Sequence, residues 1–334
     1  MTIRTLLLAT AAAATAVPAL ADVNIYTTRQ PELIQPVMDA FTEATGIAVN
    51  LAFVEDGIVE RLKAEGSRSP ADLVMTVDIA SLQQIVDAGV IQPVESDVLS
   101  AAVPAELRSA DNLWFALTTR ARIVYASRDR VADGEVTTYE DLADPKWAGR
   151  ICTRSGLHNY NLALMSAMIA HHDEDYARDW AAGVHANLAR KPEGNDRAQV
   201  KAIWAGECDI SLGNTYYMGQ MLADEEQKAW ADSVRIVFPS FENGGTHVNV
   251  SGVAMTQAAP NHDEALQLME FLVSSEAQAI YAELNNEYPV LADAQVSDLV
   301  ASWGEFTADT IDLTDVAGHH PAALRLMEEV NFDG

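Results

Sequence analysis

The sequence predicts an α/β protein with about two domains. Its length of 334 residues fits that number, because one domain holds roughly 100–200 residues. Strand-like and helix-like segments alternate over residues 23–89, a rhythm typical of a parallel sheet with helices on both faces. Apolar residues make up 49% of the chain. These observations together predict sizeable α/β cores.

The elements of this first part are short and end at turn residues. Pro31 suits the first turn of a helix, and apolar residues recur at helical spacing until Gly46 stops the pattern. Alternation of apolar and polar residues predicts the second strand. The predicted strands are 23–26, 47–54 and 70–76, and the predicted helices are 31–41, 58–65 and 81–88.

Strand-like and helix-like segments continue through the rest of the chain. Strands are predicted at 113–117 and 123–126, flanking 118–122, and again at 150–153, 208–212 and 234–238. Residues 244–255 are predicted to be a loop that leads into a long strand. A short helix and a turn are predicted over 139–147. The longer helices are predicted at 159–170, 175–187, 196–205, 261–273 and 275–284.

Residues 1–21 have the pattern of a secretory signal peptide. Arg4 supplies the positive charge, residues 6–17 are apolar, and Ala19-Leu20-Ala21 fits a cleavage site. The apolar run is too short to span a membrane. We therefore expect a periplasmic protein that is not inserted in the membrane.

The chain is strongly acidic, with 49 acidic and 21 basic residues and a formal net charge of −28. Such a charge repels nucleic acid, anionic membranes and large anionic ligands, whereas cations are not disfavoured. Most of the acidic residues are interpreted as a solubility device, because net charge says little about fold or site.

The two cysteines, Cys152 and Cys208, are predicted to form a disulfide because the protein is expected to be exported. Closing that loop would contribute roughly 4 kcal/mol. Two buried free thiols are the alternative. A bridge would tie the segment before Tyr160 to the segment before Tyr216.

Tyr216 and Tyr217 are the candidate binding residues. Adjacent side chains diverge on a regular helix or strand, so the backbone must bend for both phenols to reach one point. Gly213, Asn214 and Gly219 are expected to allow this through left-handed conformations. Phenolate oxygens suit a hard, highly charged ion such as Fe³⁺. In the alternative interpretation, one tyrosine packs in a core and the other caps a loop.

Six sequence segments share the pattern of one known family. They are 25–29 (IYTTR), 41–47 (FTEATGI), 63–66 (KAEG) with 70–73 (PADL), 117–122 (LTTRAR), 141–142 with 146–147, and 214–217 (NTYY). They resemble the periplasmic ferric-ion-binding proteins of bacterial ABC iron importers, over essentially the whole mature chain. The tyrosine pair with Tyr160 upstream is the specific signal, whereas FTEATGI is generic to solute-binding proteins.

The resemblance implies a type II solute-binding fold. Its two α/β lobes, each a mixed sheet flanked by helices, would be joined by hinge strands near 122–124 and 248–250 and would close on a ligand. One lobe would comprise 22–120 plus 247–296, and the other 121–246 plus 297–334. Clefts between lobes are common ligand sites.

The resemblance also implies the metal ligands and the partner. Tyr160, Tyr216 and Tyr217 match the family's ferric ligands, and a monomeric protein would deliver Fe³⁺ to an inner-membrane ABC permease. Glu55 and Asp56 lie where some relatives place a carboxylate ligand, and they are weaker candidates.

A small anion is expected to complete the iron coordination. Many relatives have a His-Tyr pair where this chain has Gln30 and Pro31, so a further protein ligand from that loop is in doubt. Carbonate or a similar anion would take its place. Arg120, and secondarily Arg29, would hold the anion, because a guanidinium offers a planar fork to carboxylate-like groups.

Other functions are kept as alternatives. A receptor for an oxyanion or an organic cation is the main one, and an exported enzyme is the second. The chain has no G-x-S-x-G, H-E-x-x-H or P-loop motif, so no enzymatic activity is expected. The His171-His172 and His319-His320 pairs are not expected to bind metal, because neighbours on a helix face different ways.

Overall fold

The computed structural model describes residues 22–291 and 293–334. For Glu32 it describes the backbone but not the side chain. The predicted signal peptide lies outside these residues. Within them, ten strands form one continuous sheet. The strands are β1 (Val23–Thr27), β2 (Val49–Phe53), β3 (Leu73–Thr76), β4 (Ile91–Gln92), β5 (Phe115–Ser127), β6 (Ile151–Cys152), β7 (Ile210–Asn214), β8 (Val234–Val237), β9 (Val248–Thr256) and β10 (Tyr288–Pro289).

Helices cover both parts of this sheet. They are α1 (Gln35–Thr45), α2 (Ile58–Glu65), α3 (Ile79–Asp87), α4 (Asp97–Ala102), α5 (Asn159–His171), α6 (Glu174–Ala186), α7 (Asp196–Ala205), α8 (Tyr216–Ala223), α9 (Lys228–Asp232), α10 (His262–Leu272), α11 (Ser275–Asn285), α12 (Asp298–Ala301), α13 (Leu313–Gly318) and α14 (His320–Glu329). The helix predicted from Pro31 begins instead with a 3₁₀ turn, Pro31–Leu33, and 139–147 forms two 3₁₀ turns. Among the described residues, no helix is both long and apolar enough for a membrane crossing.

The first lobe has a mixed sheet. Strand β1 lies between β2 and β3, both parallel to it, as the alternating pattern predicts, while β9 runs antiparallel to β3. Val37, Met38 and Phe41 form the buried stripe of α1, in agreement with the helical spacing of these residues. They belong to one hydrophobic core with Trp114 and Phe115. We call the elements around this core the first lobe.

The second lobe contains two further hydrophobic cores. Trp147 and Met165 lie in one, where α5 and α6 cover the sheet formed by β5, β6, β7 and β8. Cys152, Ile203 and Cys208 lie in the other. The predicted disulfide joins Cys152 and Cys208, which are 56 residues apart. It therefore connects β6 to the segment that enters β7.

Strands β5 and β9 connect the lobes. The prediction of two short strands flanking 118–122 is wrong, because β5 is one strand whose 13 residues are all buried. It pairs with β9 up to Ala121 and with β7 from Arg122 onward. Ala121 pairs with β9 and the next residue, Arg122, pairs with β7, so no loop interrupts the strand. The change of partner falls at the predicted hinge residue 122.

Helix α13 contacts both lobes. Leu313 and Ala317 belong to the core of the first lobe, and Val316 belongs to a core of the second. This short helix packs against α3 on one side and α5 on the other. The predicted lobe boundaries remain a prediction, and α13 is a segment that such boundaries cannot assign to one lobe.

Loss of the disulfide should lower stability. In a Cys152→Ala/Cys208→Ala variant the unfolded chain regains its loop entropy, so the free energy of unfolding should fall by about 4 kcal/mol. Urea denaturation measures the change. A reducing agent should destabilise the wild type and leave the double variant unaffected. Two free thiols in the intact protein, detected by non-reducing mass spectrometry, would contradict the bridge.

Candidate metal centre

A cavity of about 360 Å³ lies between the two lobes. Tyr160, Tyr216 and Tyr217 line it from the second lobe, and Arg29 and Arg120 line it from the first lobe and the hinge. The structure thus brings all five predicted site residues together. Ligand cavities of roughly 300–1,000 Å³ are common at domain interfaces, so the volume is that of a small-ligand site.

The tyrosine pair begins helix α8, directly after β7. The rings of Tyr216 and Tyr217 pack with their centroids 4.3 Å apart. The expected left-handed backbone is wrong, because none of Gly213, Asn214 and Gly219 adopts a left-handed φ. The long phenol side chains converge from an ordinary first helical turn instead.

Gly213 is required for packing rather than for a bend. A Cβ at this position would lie 2.3 Å from the ring of Tyr125. The Tyr125 hydroxyl donates a hydrogen bond of 2.7 Å to the carbonyl of Asn214. Because Gly213 has no side chain, the Tyr125 ring can lie under the end of β7. The hydrogen bond from Tyr125 then fixes the end of the strand that leads to the tyrosine pair.

Tyr160 reaches the same point from helix α5. His158 caps this helix, and its Nδ1 accepts a hydrogen bond from the backbone N–H of Tyr160 at 3.1 Å. The ring of His158 also lies edge-on to the ring of Tyr160, with centroids 4.6 Å apart. The hydroxyls of Tyr216 and Tyr160 are 3.1 Å apart. Two phenol oxygens from different elements are therefore in direct contact.

A buried ion-pair network lies beneath these phenols. The fully buried carboxylate of Asp196 accepts hydrogen bonds from Arg122 at 2.7 Å, from Arg154 at 3.1 Å and from the backbone N–H of Asn214 at 3.1 Å. Arg122 also donates to the side-chain oxygen of Asn161 at 2.6 Å. The network thus joins β5, β7 and α7 at one carboxylate and reaches α5 through Arg122.

The two guanidinium groups also lie near Tyr160. The Cζ atom of Arg154 is 5.1 Å from the centroid of the Tyr160 ring, and that of Arg122 is 5.8 Å from it. Both cations are close enough for attraction to the ring face. Sequence reasoning missed Asp196 and Arg154, because a pairing between such distant positions has no local pattern. The Asn195-Asp196 start of α7 has the ordinary pattern of a helix N-terminus, so it gave no signal of the buried ion pairs.

Burial and neighbouring phenols favour the neutral forms of Tyr216 and Tyr217. Burial, together with the neighbouring phenols of Tyr160 and Tyr217, raises the pKa of Tyr216 well above its usual value. Burial and the Tyr160 phenol likewise raise the pKa of Tyr217 to about 12. The site therefore disfavours phenolates unless a cation compensates their charge.

The two arginines differ in their partners. Arg29 donates to Glu287 at 2.9 Å and to Ser251 at 2.7 Å. Burial alone would lower the pKa of Arg29, yet the Glu287 carboxylate raises it. Arg120 donates to the Val77 carbonyl and forms no ion pair with the described carboxylates. Arg120 is thus a buried cation of this cavity whose charge no described carboxylate compensates. Arg197 also lines the cavity without an ion pair to a described carboxylate, but it is partly exposed.

The weaker sequence candidates lie elsewhere. Glu55 and Asp56 are exposed and line a neighbouring cavity of about 800 Å³ that His158 borders from the second lobe. Gln30 lines the tyrosine cavity. In the described part of the chain, no three His, Cys, Asp or Glu side chains are grouped as metal ligands. A metal in the interlobe cavity would therefore rely on phenol oxygens.

The histidine pairs have structural partners. His171 Nε2 lies 2.5 Å from Asp309, and His172 Nε2 lies 2.8 Å from Glu140. The two rings thus point to separate carboxylates. His319 Nε2 lies 3.9 Å from Asp315. None of these arrangements brings a pair of imidazoles to one point.

The sequence and the fold both match known proteins. Residues 37–308 match the family described as bacterial extracellular solute-binding protein. The chain belongs to this family. Its members bind solutes and are not enzymes, as the sequence predicted. The predicted two-lobed type II fold is confirmed by structural neighbours such as the Mannheimia haemolytica ferric iron-binding protein A in an open conformation. That protein is 48% identical, with a TM-score of 0.90 over 95% of this chain and 100% of its own.

Two further relatives of this solute-binding protein have names that mention iron. Iron uptake protein A1 of Synechocystis sp. is 44% identical over 314 residues, which cover 93% of this chain and 87% of that relative. A Trichodesmium protein, solved in complex with iron and citrate ligands, is 41% identical. Its TM-score is 0.90, over 93% of this chain and 99% of its own. The likeness thus extends over nearly the whole chain.

Substitution of Asp196 should destabilise the second lobe. Asp196→Asn keeps the size of the side chain but leaves the guanidiniums of Arg122 and Arg154 buried without a counter-charge. Breaking a buried ion pair costs about 3–5 kcal/mol, and urea denaturation measures the loss. Asp175→Asn, which breaks the exposed pair with Arg178, is the matched control and should behave as the wild type. Equal stability of the two variants would show that the network contributes nothing.

Proposed function

We propose that the protein is the periplasmic solute-binding component of an ABC importer and that it carries Fe³⁺. The observation that supports this best is the convergence of Tyr160, Tyr216 and Tyr217 on one interlobe cavity. Iron-related names among the relatives point the same way. The protein would capture Fe³⁺ as a monomer and deliver it to an inner-membrane permease.

The charge balance of the cavity favours a highly charged cation. Three phenolates would neutralise Fe³⁺, and a trivalent ion lowers the pKa of a bound phenol far more than a monovalent one does. The raised pKa values of Tyr216 and Tyr217 mean that each binds its proton at neutral pH until a cation displaces it. Acidification therefore opposes binding, because protons compete with the metal for the same oxygens.

A small anion such as carbonate is proposed to complete the iron coordination. Three phenol oxygens leave Fe³⁺ short of ligands, and the cavity has room for several non-hydrogen atoms beside the ion. Arg120 is the preferred anion holder because it is buried and no described carboxylate pairs with it, whereas Glu287 already compensates Arg29 and Arg197 is partly exposed. The citrate in the Trichodesmium complex makes a larger carboxylate the competing choice.

A receptor for an oxyanion remains the second candidate. Two buried guanidiniums face the same cavity, and a guanidinium binds oxyanions in a planar, two-pronged geometry. In that case the phenols would only donate hydrogen bonds. Colour separates the two functions, because ferric phenolate absorbs visible light through charge transfer and an oxyanion complex does not.

Loss of one phenol oxygen should abolish tight iron binding. Tyr216→Phe and Tyr217→Phe each remove a ligand but keep most of the ring packing. We expect iron affinity to fall by more than roughly 100-fold, beyond the loss typical of an outer-shell residue, and the visible band to bleach. Competition with a chelator measures the affinity. Tyr176→Phe, whose ring lies on α6 outside the cavity, is the control. Wild-type affinity in both cavity variants would place the iron site elsewhere.

The anion should make iron affinity depend on bicarbonate and on Arg120. Iron binding in carbonate-depleted buffer should be weaker than after bicarbonate is added back, and Arg120→Ala should remove most of that difference. Arg120→Lys keeps the charge but loses the fork, so its affinity should fall between. Urea denaturation of each variant separates loss of binding from loss of folding. If bicarbonate and Arg120→Ala both leave affinity and spectrum unchanged, another ligand completes the coordination.

A further inference from the structure

Helix α8 meets the end of α11 beside the tyrosine cavity. A Cβ built on Gly219, one turn into α8, would lie 2.5 Å from both Cγ and Nδ2 of Asn286 and 2.9 Å from its Oδ1. Ordinary carbon contacts are closer to 3.5–4.0 Å. With the Asn286 side chain in this position, only glycine fits at residue 219.

This contact joins the two lobes. Met218 and Met221, on either side of Gly219, pack in a core of the second lobe. Tyr281, one turn before the end of α11, packs in the core of the first lobe. Tyr217 and Asn285 line the cavity from the two facing helices. Gly219 and Asn286 thus meet at the edge of the proposed metal site.

The backbone conformation at residue 219 does not explain why this residue is glycine. Gly219 lies inside a helix and does not take a left-handed φ, so an alanine would fit the backbone equally well. Glycine is also among the poorest helix-forming residues. The local cost of Gly219 is therefore explained by the close approach of the opposite lobe.

The backbone of Asn286 has a defined conformation. It ends α11 in the left-handed region, with φ 54° and ψ 35°. Asparagine and glycine are the residues that most readily adopt this conformation. The Cβ of Asn286 therefore leaves the helix end in a fixed direction, toward α8. Glycine could replace Asn286 without changing the path of the chain.

We propose that Gly219 and Asn286 are positioning residues that determine how closely the lobes approach over the metal cavity, and thereby how tightly the metal is retained. The inference rests on the proposed function for the identity of the ligand. Neither residue needs to touch the metal. A larger side chain at 219 would separate the tyrosines on α8 from the arginines of the opposite wall.

The test is Gly219→Ala, with Asn286→Gly as the rescuing change. The added methyl should weaken ferric affinity roughly tenfold or more, as overpacking of a close contact does, mainly through faster release. Small-angle scattering of the metal-free protein should show a larger radius of gyration. The double variant Gly219→Ala/Asn286→Gly should recover both properties, because glycine at 286 removes the atoms that the methyl meets.

Gly318→Ala is the matched control. Gly318 is also helical, without a left-handed φ, and a Cβ there meets nothing within 4 Å. This variant should bind and scatter as the wild type. Wild-type affinity and scattering in Gly219→Ala, or a loss that Asn286→Gly does not restore, would overturn the proposal. If the wild type itself bound no iron, the proposed function would fail, while the scattering comparison would still test the contact.

Discussion

The positions of Tyr160 and Tyr216 in the cavity depend on the buried carboxylate of Asp196. Arg122, Arg154 and the backbone of Asn214 all donate to it, so the three donors and the carboxylate come from four separate segments of the chain. An uncompensated buried charge is strongly destabilising, so the segments must assemble together. The same assembly puts the two guanidiniums beside the Tyr160 ring and fixes the start of the helix that carries Tyr216. Fold stability and site geometry therefore share one set of contacts.

Ionising the phenols of this site is unfavourable without a bound cation. Phenols crowded in a buried wall resist ionisation, as the raised pKa values of Tyr216 and Tyr217 indicate. A trivalent ion would stabilise all the phenolates together, and the charge of Arg120 would offset that of a bound anion. The cavity walls come from both lobes, so ligand binding and lobe approach are coupled. The Gly219–Asn286 contact lies between the lobes at the edge of this cavity, where their approach would affect the bound ligand.

The sequence predicted the broad plan well. Helical spacing predicted α1, and the alternation of strands and helices predicted the parallel part of the first sheet. The expectation that the protein is exported predicted the disulfide. It could not predict that β5 is continuous, because its threonines and arginines are polar and become buried only through long-range partners. The reason given for Gly213 was wrong for a similar cause. Close approach of Tyr125 is a tertiary contact, and turn propensities do not contain it.

The count of protons released when Fe³⁺ binds tests the central claim most directly. Isothermal calorimetry in buffers of different ionisation enthalpy gives this count for the wild type and for Tyr217→Phe, and their difference cancels protons from the iron chelate and the anion. If Tyr217 binds iron as a phenolate, the variant should release about one proton fewer per iron near pH 7, because a phenol whose pKa is about 12 is protonated before binding. Equal proton release from the two proteins, with iron still bound, would contradict the phenolate site.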